Sequence, residues 1–409
     1  MTDNLTKIFT EKEVVFNQWL ENKAAGLIIP FYSSADIRDS GYKAACIDLN
    51  IFPAGFNNLC EKFAEKAALS VKSYLLNFFG EKSYHNVVLV PEAHSRNKFY
   101  NAHLLSLKNI LESAGLNVTV AAMSSENFRL ETFDGKILIT ELIKIKNNLL
   151  VNQNDIPFDW VLLNNDLSDG KIDFLEGIAQ PVIPSISFGW HERRKSCFFN
   201  NYNALITDFA KEFSFDPWIL SAETHLVSDI DFQTEIGREK VAAIVENVLI
   251  STEKKYKEYN ISEQPRVFIK NDSGTYGIGI MVVGSADEII NMNRKSKNKM
   301  AVGKGKQPIK SVIVQEAVPT RNITENFVSE PVIYMIGNEV IGTFLRANSE
   351  RGAADNLNAK GMTFYRYCSL LPVEQPSECT CTSESQNFYN FIAKLSAVAA
   401  AKEIENDYR

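Results

Sequence analysis

The chain has 409 residues, 45% of them hydrophobic and 23% charged, with a formal net charge of −7. Such a length suits two or three packed domains of an ordinary globular protein, and the negative balance argues against a broad nucleic-acid footprint. No apolar stretch reaches membrane-spanning length, and the opening residues MTDNLTKIFTEKEVVF lack a signal-peptide core, so a cytoplasmic protein with no membrane partner is expected.

Gly26 to Phe31 and Lys43 to Phe52 read as strands, and Asn58 to Phe79 as a helix stopped by Gly80. Asn86 to Val90 is an apolar run suited to a buried strand, His103 to Ala114 a helix, and Leu116 to Ala121 a further strand. Trp160 to Leu163 is a short strand that runs into Asn164, Asn165 and Asp166. This β–α–β rhythm predicts an α/β region over 1–260, with polar groups gathered at strand ends. Phe188 to Thr224 is aromatic-rich and less regular, and Thr234 to Tyr259 is a long connecting helix. From Arg266 the texture changes to short strands and hairpins at 266–270, 278–283, 311–316, 331–336 and 339–346. An α+β region over 261–409 follows, closed by a helix from Glu384 to Ile404. The basic stretch Asn298 to Lys310 reads equally as a lid and as a solvated loop. Of the six cysteines, Cys379 and Cys381 have the wrong spacing for a zinc site or a thioredoxin-type pair, and Cys46 and Cys60 read as core. A reduced compartment is the simpler reading.

The stretch VFIKNDSGTYGIGIMVV, residues 267–283, sets Lys270 at a strand end ahead of Gly274, Gly277 and Gly279. Such a turn can cradle phosphate, because glycine lets backbone N–H groups approach anions and lysine supplies a point charge. It is neither a Walker A loop nor a dinucleotide fingerprint, since a strand follows where a helix should begin. Taken alone, a plain glycine-turned hairpin is the simpler reading. Downstream, Ser311 to Val318 ends in Gln315, Glu316, Ala317 and Val318, an edge whose backbone could read a purine rim. Glu330 opens the next strand and could hold a ribose hydroxyl. Arg346 closes an apolar strand and suits a phosphate or carboxylate, although a surface ion pair is the commoner fate of an arginine. Asn356 to Gly361 forms a small-residue turn. This ordered set resembles the ATP-grasp superfamily.

The metal-ligand strand of that superfamily, which ordinarily follows the arginine loop, is missing here. Asp48 and Asn50 stand two apart in a predicted strand, so both point to one face. A carboxylate and an amide oxygen are hard ligands suited to Mg²⁺, the plain alternative being a strand with a polar outer face. The order resembles circularly permuted ATP-grasp enzymes of the eukaryotic glutathione synthetase type. FYSSADIRDSGYKAACIDLNIFPAGFNNLC (31–60), VPEAHSRNKFY (90–100), LLNNDLSDG (162–170) and GWHERRKS (189–196) together resemble the small bacterial glutamate–cysteine ligase family. The similarity covers nearly the whole chain, and FPAGFNN and WHERRKS are its most specific stretches.

That resemblance implies ATP-dependent joining of the glutamate γ-carboxylate to the cysteine amine, the first step of glutathione synthesis, with ATP and Mg²⁺ required. Lys270 would contact the ATP phosphates, and backbone N–H groups from Ser273 through Gly274 to Gly277 would cover them. Gln315, Glu316, Val318 and Glu330 would hold the nucleoside. Asp48, Asn50 and Asp272 would hold the metal, with Glu350 in reserve. Arg346 would stabilise the transferring phosphoryl group, and Asn356 would orient its neighbours. Arg38 and Arg96 are candidates for the glutamate α-carboxylate, and Asn164, Asn165 and Asp166 for its amine. Arg193 and Arg194, with Lys195, form either an anion site or a solvated charge run. His94 and His191 read as hydrogen-bonding or structural residues. The competing readings are another ATP-grasp carboxylate–amine ligase, such as a glutathione synthetase, and a non-catalytic nucleotide-binding protein; the sequence leaves the oligomeric state open.

Overall fold

Ser34, Asp36 and Arg38 alternate with Ala35 and Ile37, the period-two pattern of a strand with one polar and one apolar face. The computed structural model describes residues 1–60, 62–93, 96–123, 126–274, 279–303, 308–375 and 387–404, and it contains that strand at its centre. In chain order, helices α1 (Thr2–Glu11) and α2 (Glu13–Ala24) precede strands β1 (Tyr32–Asp39) and β2 (Ala44–Asn50). Then come α3 (Lys62–Phe79), β3 (Asn86–Pro91), α4 (Lys98–Ser113) and β4 (Asn117–Val120). Two hairpins follow, β5 (Arg129–Glu131) with β6 (Ile137–Ile139) and β7 (Lys144–Lys146) with β8 (Leu149–Val151), ahead of β9 (Trp160–Asn164) and β10 (Val182–Ile183). Next are α5 (Lys195–Phe213), β11 (Thr224–Ser228), α6 (Glu235–Glu258), β12 (Val267–Asn271), β13 (Ile280–Val283), α7 (Asp287–Ile290) and α8 (Arg294–Ala301). The chain closes with β14 (Ser311–Glu316), β15 (Ile323–Thr324), β16 (Phe327–Ile336), β17 (Glu339–Asn348), β18 (Met362–Arg366) and α9 (Asn387–Ala401).

Three larger sheets result. The parallel sheet β10-β9-β3-β4 carries the expected β–α–β rhythm. An antiparallel sheet, β11-β14-β12-β13, holds the lysine strand between two partners. The third, β18-β17-β16-β1-β2 with β15 on β16, is antiparallel and joins both ends of the chain. The expected division at 260/261 therefore runs through a sheet. One face of that sheet, with Ala35, Ile37, Leu49, Ile333 and Met335, packs on α9, whose alanine-rich centre is buried all round. The other face is polar. Opposite Asp36 stands Asp48, but opposite Ile37 stands Cys46, so Ile47 is the extra residue of a β-bulge.

Three sequence expectations change. Gly26 to Phe31 contains no strand: Pro30 cannot donate to a ladder, and β1 starts at Tyr32. The stretch taken as irregular, Phe188 to Thr224, contains the 19-residue helix α5, whose buried Phe198, Tyr202, Leu205, Ile206 and Phe209 follow helical spacing. The Asn298 to Lys310 loop starts inside α8, and residues 304–307 lie outside the described residues. Cys379 and Cys381 lie outside them too.

Candidate active site

The polar face of the long sheet collects charge. In register, Glu330 on β16 faces Arg346 on β17. Arg346 Nη1 donates to Asp36 Oδ2 at 2.6 Å and to Glu330 Oε1 at 2.9 Å. Arg38 Nε donates to Glu330 Oε2 at 2.7 Å. All four side chains are buried, where charge is tolerated only when paired. Burial pushes the Glu330 carboxyl up, but the Arg38 and Arg346 guanidinium groups outweigh it and hold it low. For Asp36 burial wins over Arg346, and its carboxyl is raised. Arg346 Nε, though buried, has no partner among the described residues.

A second cluster adjoins the first. Lys270 Nζ donates to the carbonyl of the bulged Ile47 and to Gln315 Oε1, both at 2.7 Å. Burial lowers this lysine to about 8, against the attraction of Asp48. Asp48 Oδ1 accepts from Lys195 Nζ at 2.5 Å. Burial raises the Asp48 carboxyl, yet Lys195 and Lys270 together hold it below the usual carboxylate range.

These groups line connected cavities. One of about 30 Å³ is walled by Asp36, Arg38, Asp48, Lys270, Glu330, Arg346 and Asn356 among others. A second, about 170 Å³, shares Asp48 and Arg346 and adds Asn50, Asp166, Arg193 and the aromatic rings of Trp190, Tyr334, Phe344 and Phe364. A third, about 730 Å³, shares Ala54, Asn58, Met362 and Phe364 with it and is lined by Arg96. The FPAGFNN turn closes one side of the second cavity. Gly55 is required there: a Cβ would stand 2.5 Å from the Tyr334 hydroxyl.

The predicted residues fare differently. Lys270, Asp48, Arg346 and Asn356 share one cavity wall, and Asn50 lies in the next. Arg38, expected on a substrate carboxylate, donates instead to Glu330 and to the carbonyls of Val318, Ala353 and Asp355, which straps the 353–355 segment to β1. Glu330, expected on a ribose, has both oxygens taken by arginines. The expected purine edge is also spoken for. Glu316 pairs with Lys43 at 2.7 Å and accepts from Trp218 Nε1, while the N–H groups of Glu316 and Ala317 donate to the carbonyls of Glu223 and Arg266. Gln315 holds Lys270, and Val318 is buried. Asp272, expected on the metal, accepts from the Ser196 N–H at 2.8 Å and hydroxyl at 3.1 Å, anchoring the start of α5. Glu350 is exposed. Ser273 pairs with the Asn271 side chain, and Gly274 packs on it. Gly277 and His94 lie outside the described residues.

Asn164 is consumed by His103, Tyr100, Tyr32 and the Pro53 carbonyl. Asn165 binds the Pro91 carbonyl, while Asp166 accepts from Ser168 and faces the second cavity. Arg193 forks onto Glu403 and reaches the Leu49 carbonyl; Arg194 turns back onto the carbonyls of Glu192 and Arg193. Arg96 is exposed, and His191 lies beside Glu192. Sequence reasoning missed Asp36 and the individual part of Lys195. The alternation at Ser34, Asp36 and Arg38 was the available signal for the first.

Asp48 and Asn50 present hard oxygens to the second cavity, and Asp48 Oδ2 accepts no hydrogen bond among the described residues. This donor pair fits a divalent cation; Asp272, spent on Ser196, does not.

A family model described as glutamate-cysteine ligase matches residues 6–404. Among solved structures, the chain is similar to the crystal structure of a putative gamma-glutamylcysteine synthetase from Methylobacillus flagellatus KT, with 34% identity and a TM-score of 0.88, over 99% of this chain and 96% of that one. A D-alanyl-alanine synthetase A from Vibrio cholerae O1 biovar eltor also matches, at 13% identity and a TM-score of 0.31 over 62% and 68% of the two chains, too remote to carry an argument. No curated protein is significantly similar. The chain belongs to the glutamate–cysteine ligase family and joins glutamate to cysteine in an ATP-dependent reaction.

Proposed function

We propose that the connected cavities are the active site of this ligation and that the long sheet is part of a circularly permuted, ATP-grasp-like fold. The observation that carries this reading is the small cavity wall on which Asp48, Lys270 and Arg346 converge from three distant parts of the chain. The permutation rests on order: the Asp48 strand β2 precedes the lysine strand β12 in sequence, yet lies in one sheet with the arginine strand β17.

A carboxylate acylates poorly because oxide is a poor leaving group. In our reading the glutamate γ-carboxylate attacks the γ-phosphorus of ATP, the bond to the β–γ bridging oxygen breaks, and ADP leaves an acyl phosphate. The cysteine amine then attacks the acyl carbon, loses a proton, and inorganic phosphate departs. Positioning and charge stabilisation dominate the first step. Lys270 supplies an ammonium to the phosphates from a site where burial has removed competing water. Arg346 is held rigid by Asp36 and Glu330, and its Nε–H, which has no partner among the described residues, is a donor left for a phosphoryl or acyl-phosphate oxygen. Asn356 stands on the same wall to orient these groups. Asp48 and Asn50 would hold the divalent cation, Mg²⁺ in this reading. Bound there, it supplies charge neutralisation for the β- and γ-phosphate oxygens. Asp166 and Arg193 face the 170 Å³ cavity, which we assign to glutamate, and Arg96 lines the outer one. No helix among the described residues is long and apolar enough to cross a membrane, and the thiols of Cys46 and Cys197, in no disulfide, suit a reducing cytoplasm.

The test is ADP release from purified enzyme with Mg²⁺-ATP and glutamate, offering cysteine, glycine or alanine in turn, and γ-glutamylcysteine with glycine separately. Release that needs glutamate with cysteine and vanishes in Lys270→Ala is expected. Undiminished release by that variant would remove the cavity from the mechanism.

A further inference from the structure

Arg193, Arg194 and Lys195 stand together at the N-terminal end of α5, the positive end of the helix dipole, where anions are favoured and cations are not. Two of the three are absorbed locally. Arg193 is fixed at three points by Glu403 and the Leu49 carbonyl, and Arg194 folds back on backbone carbonyls. Lys195 alone of the three pairs with a carboxylate that lines the cavities: its ammonium sits 2.5 Å from Asp48 Oδ1 and 4.7 Å from the centre of the Trp190 ring. Its backbone cannot follow any movement: the Lys195 N–H donates to the Asp272 carbonyl, and the Asp272 carboxylate grips Ser196. Any movement of the charge would therefore run through rotation of the four-carbon stem.

The neighbourhood explains why a cation is needed there. Asp48 faces Asp36 across β1 and β2 in register. Two carboxylates so placed repel, and a cation beside them offsets that repulsion. Among the described residues, every other cation bonded to a carboxylate of this sheet face is an arginine with a rigid fork. A lysine offers a single compact charge on a flexible stem and is the easier of the two to displace. On the reading that Asp48 binds the divalent cation, we propose that Lys195 is a place-holding cation, seated on Asp48 while the nucleotide site is empty and yielding that carboxylate when the metal arrives. It is thus a positioning residue: it occupies and aims the carboxylate until the metal displaces it.

The experiment is Mn²⁺ binding to the nucleotide-free, full-length enzyme, read from the electron paramagnetic resonance signal of free Mn²⁺. Lys195→Met removes the competitor and is expected to bind Mn²⁺ about tenfold more tightly than wild type, the scale of one charged hydrogen bond. Lys195→Arg keeps a forked, less yielding partner and is expected to bind about tenfold more weakly. Asp48→Asn is expected to lose the site. A residue with a merely structural role would not tighten metal binding when removed. Wild-type affinity in Asp48→Asn would overturn the assignment of Asp48 itself. Loss in Asp48→Asn with no tightening in Lys195→Met would leave that assignment standing and overturn the place-holding role. Should Lys195→Met fail to fold, Lys195→Arg decides alone, and unchanged affinity there overturns the proposal.

Discussion

Raising the pH should disarm Lys270 while making the fold more stable. Its side chain is buried, with Nζ on Ile47 and Gln315. Burial lowers it from 10.5 to about 8, against the attraction of Asp48. A displacement of that size corresponds to about 3 kcal/mol. Below pH 8 the lysine is charged in folded and unfolded chains alike, and the full burial cost is present. Between pH 8 and 10.5 the folded lysine is neutral while the unfolded one keeps its proton. The unfolded state then binds more protons, so rising pH favours the folded state by up to about 3 kcal/mol from this group. Nucleotide affinity runs the other way, because a neutral amine attracts phosphate weakly. Measured without cysteine, whose own thiol and amine titrate nearby, ATP affinity should fall about tenfold per pH unit above 8. Lys270→Arg supplies a cation that does not titrate, so its affinity should stay level. A wild-type affinity that is flat from pH 7 to 9.5, or a Lys270→Arg enzyme that still shows the fall, would refute the reasoning.

Three further outcomes concern Arg346 and Asp272. Arg346→Met leaves Glu330 with Arg38 alone and Asp36 buried with no cation bonded to it among the described residues, and should lower stability by about 3–5 kcal/mol in urea denaturation. Arg346→Lys should recover little activity, because one ammonium cannot reproduce an Nη1 shared by two carboxylates with an Nε left over; near-wild-type kcat there would discredit the Nε–H contact. Asp272→Asn should cost about 1 kcal/mol through a weaker hold on the α5 terminus, with no change in the Mg²⁺ concentration for half-maximal activity. A steep rise in that concentration would return Asp272 to the metal site.

What could be read from the sequence depended on whether a residue's role was local. The helix α6 carried its own periodicity and its Thr234 cap, and its expected limits match within a residue. Asp48 and Asn50 were visible as a pair because strand geometry alone places them on one face. The fates of Arg38 and Glu330 were not visible, since each is decided by the other from 292 positions away. Nor does a run such as WHERRKS say which of its cations finds a carboxylate: Glu403 and Asp48 lie in distant segments. The helix α5 was obscured by its aromatics, whose spacing was masked by the irregular residues before it.

The long sheet also sets a schedule. β1 and β2 leave the ribosome early, but β16, which covers the open edge of β1, comes almost 300 residues later. At about 5–20 residues per second, that interval is roughly 15–60 s. Throughout it, a strand bearing Asp36 and Arg38 has β2 on one side but neither β16 on the other nor its counter-charges. Polar side chains on an exposed edge deter premature pairing with other chains, so the same residues that build the site guard the nascent chain. Closure over so long a loop is entropically slow, and a transcript cut short before β16 would yield a protein with its lysine strand formed and no wall opposite it.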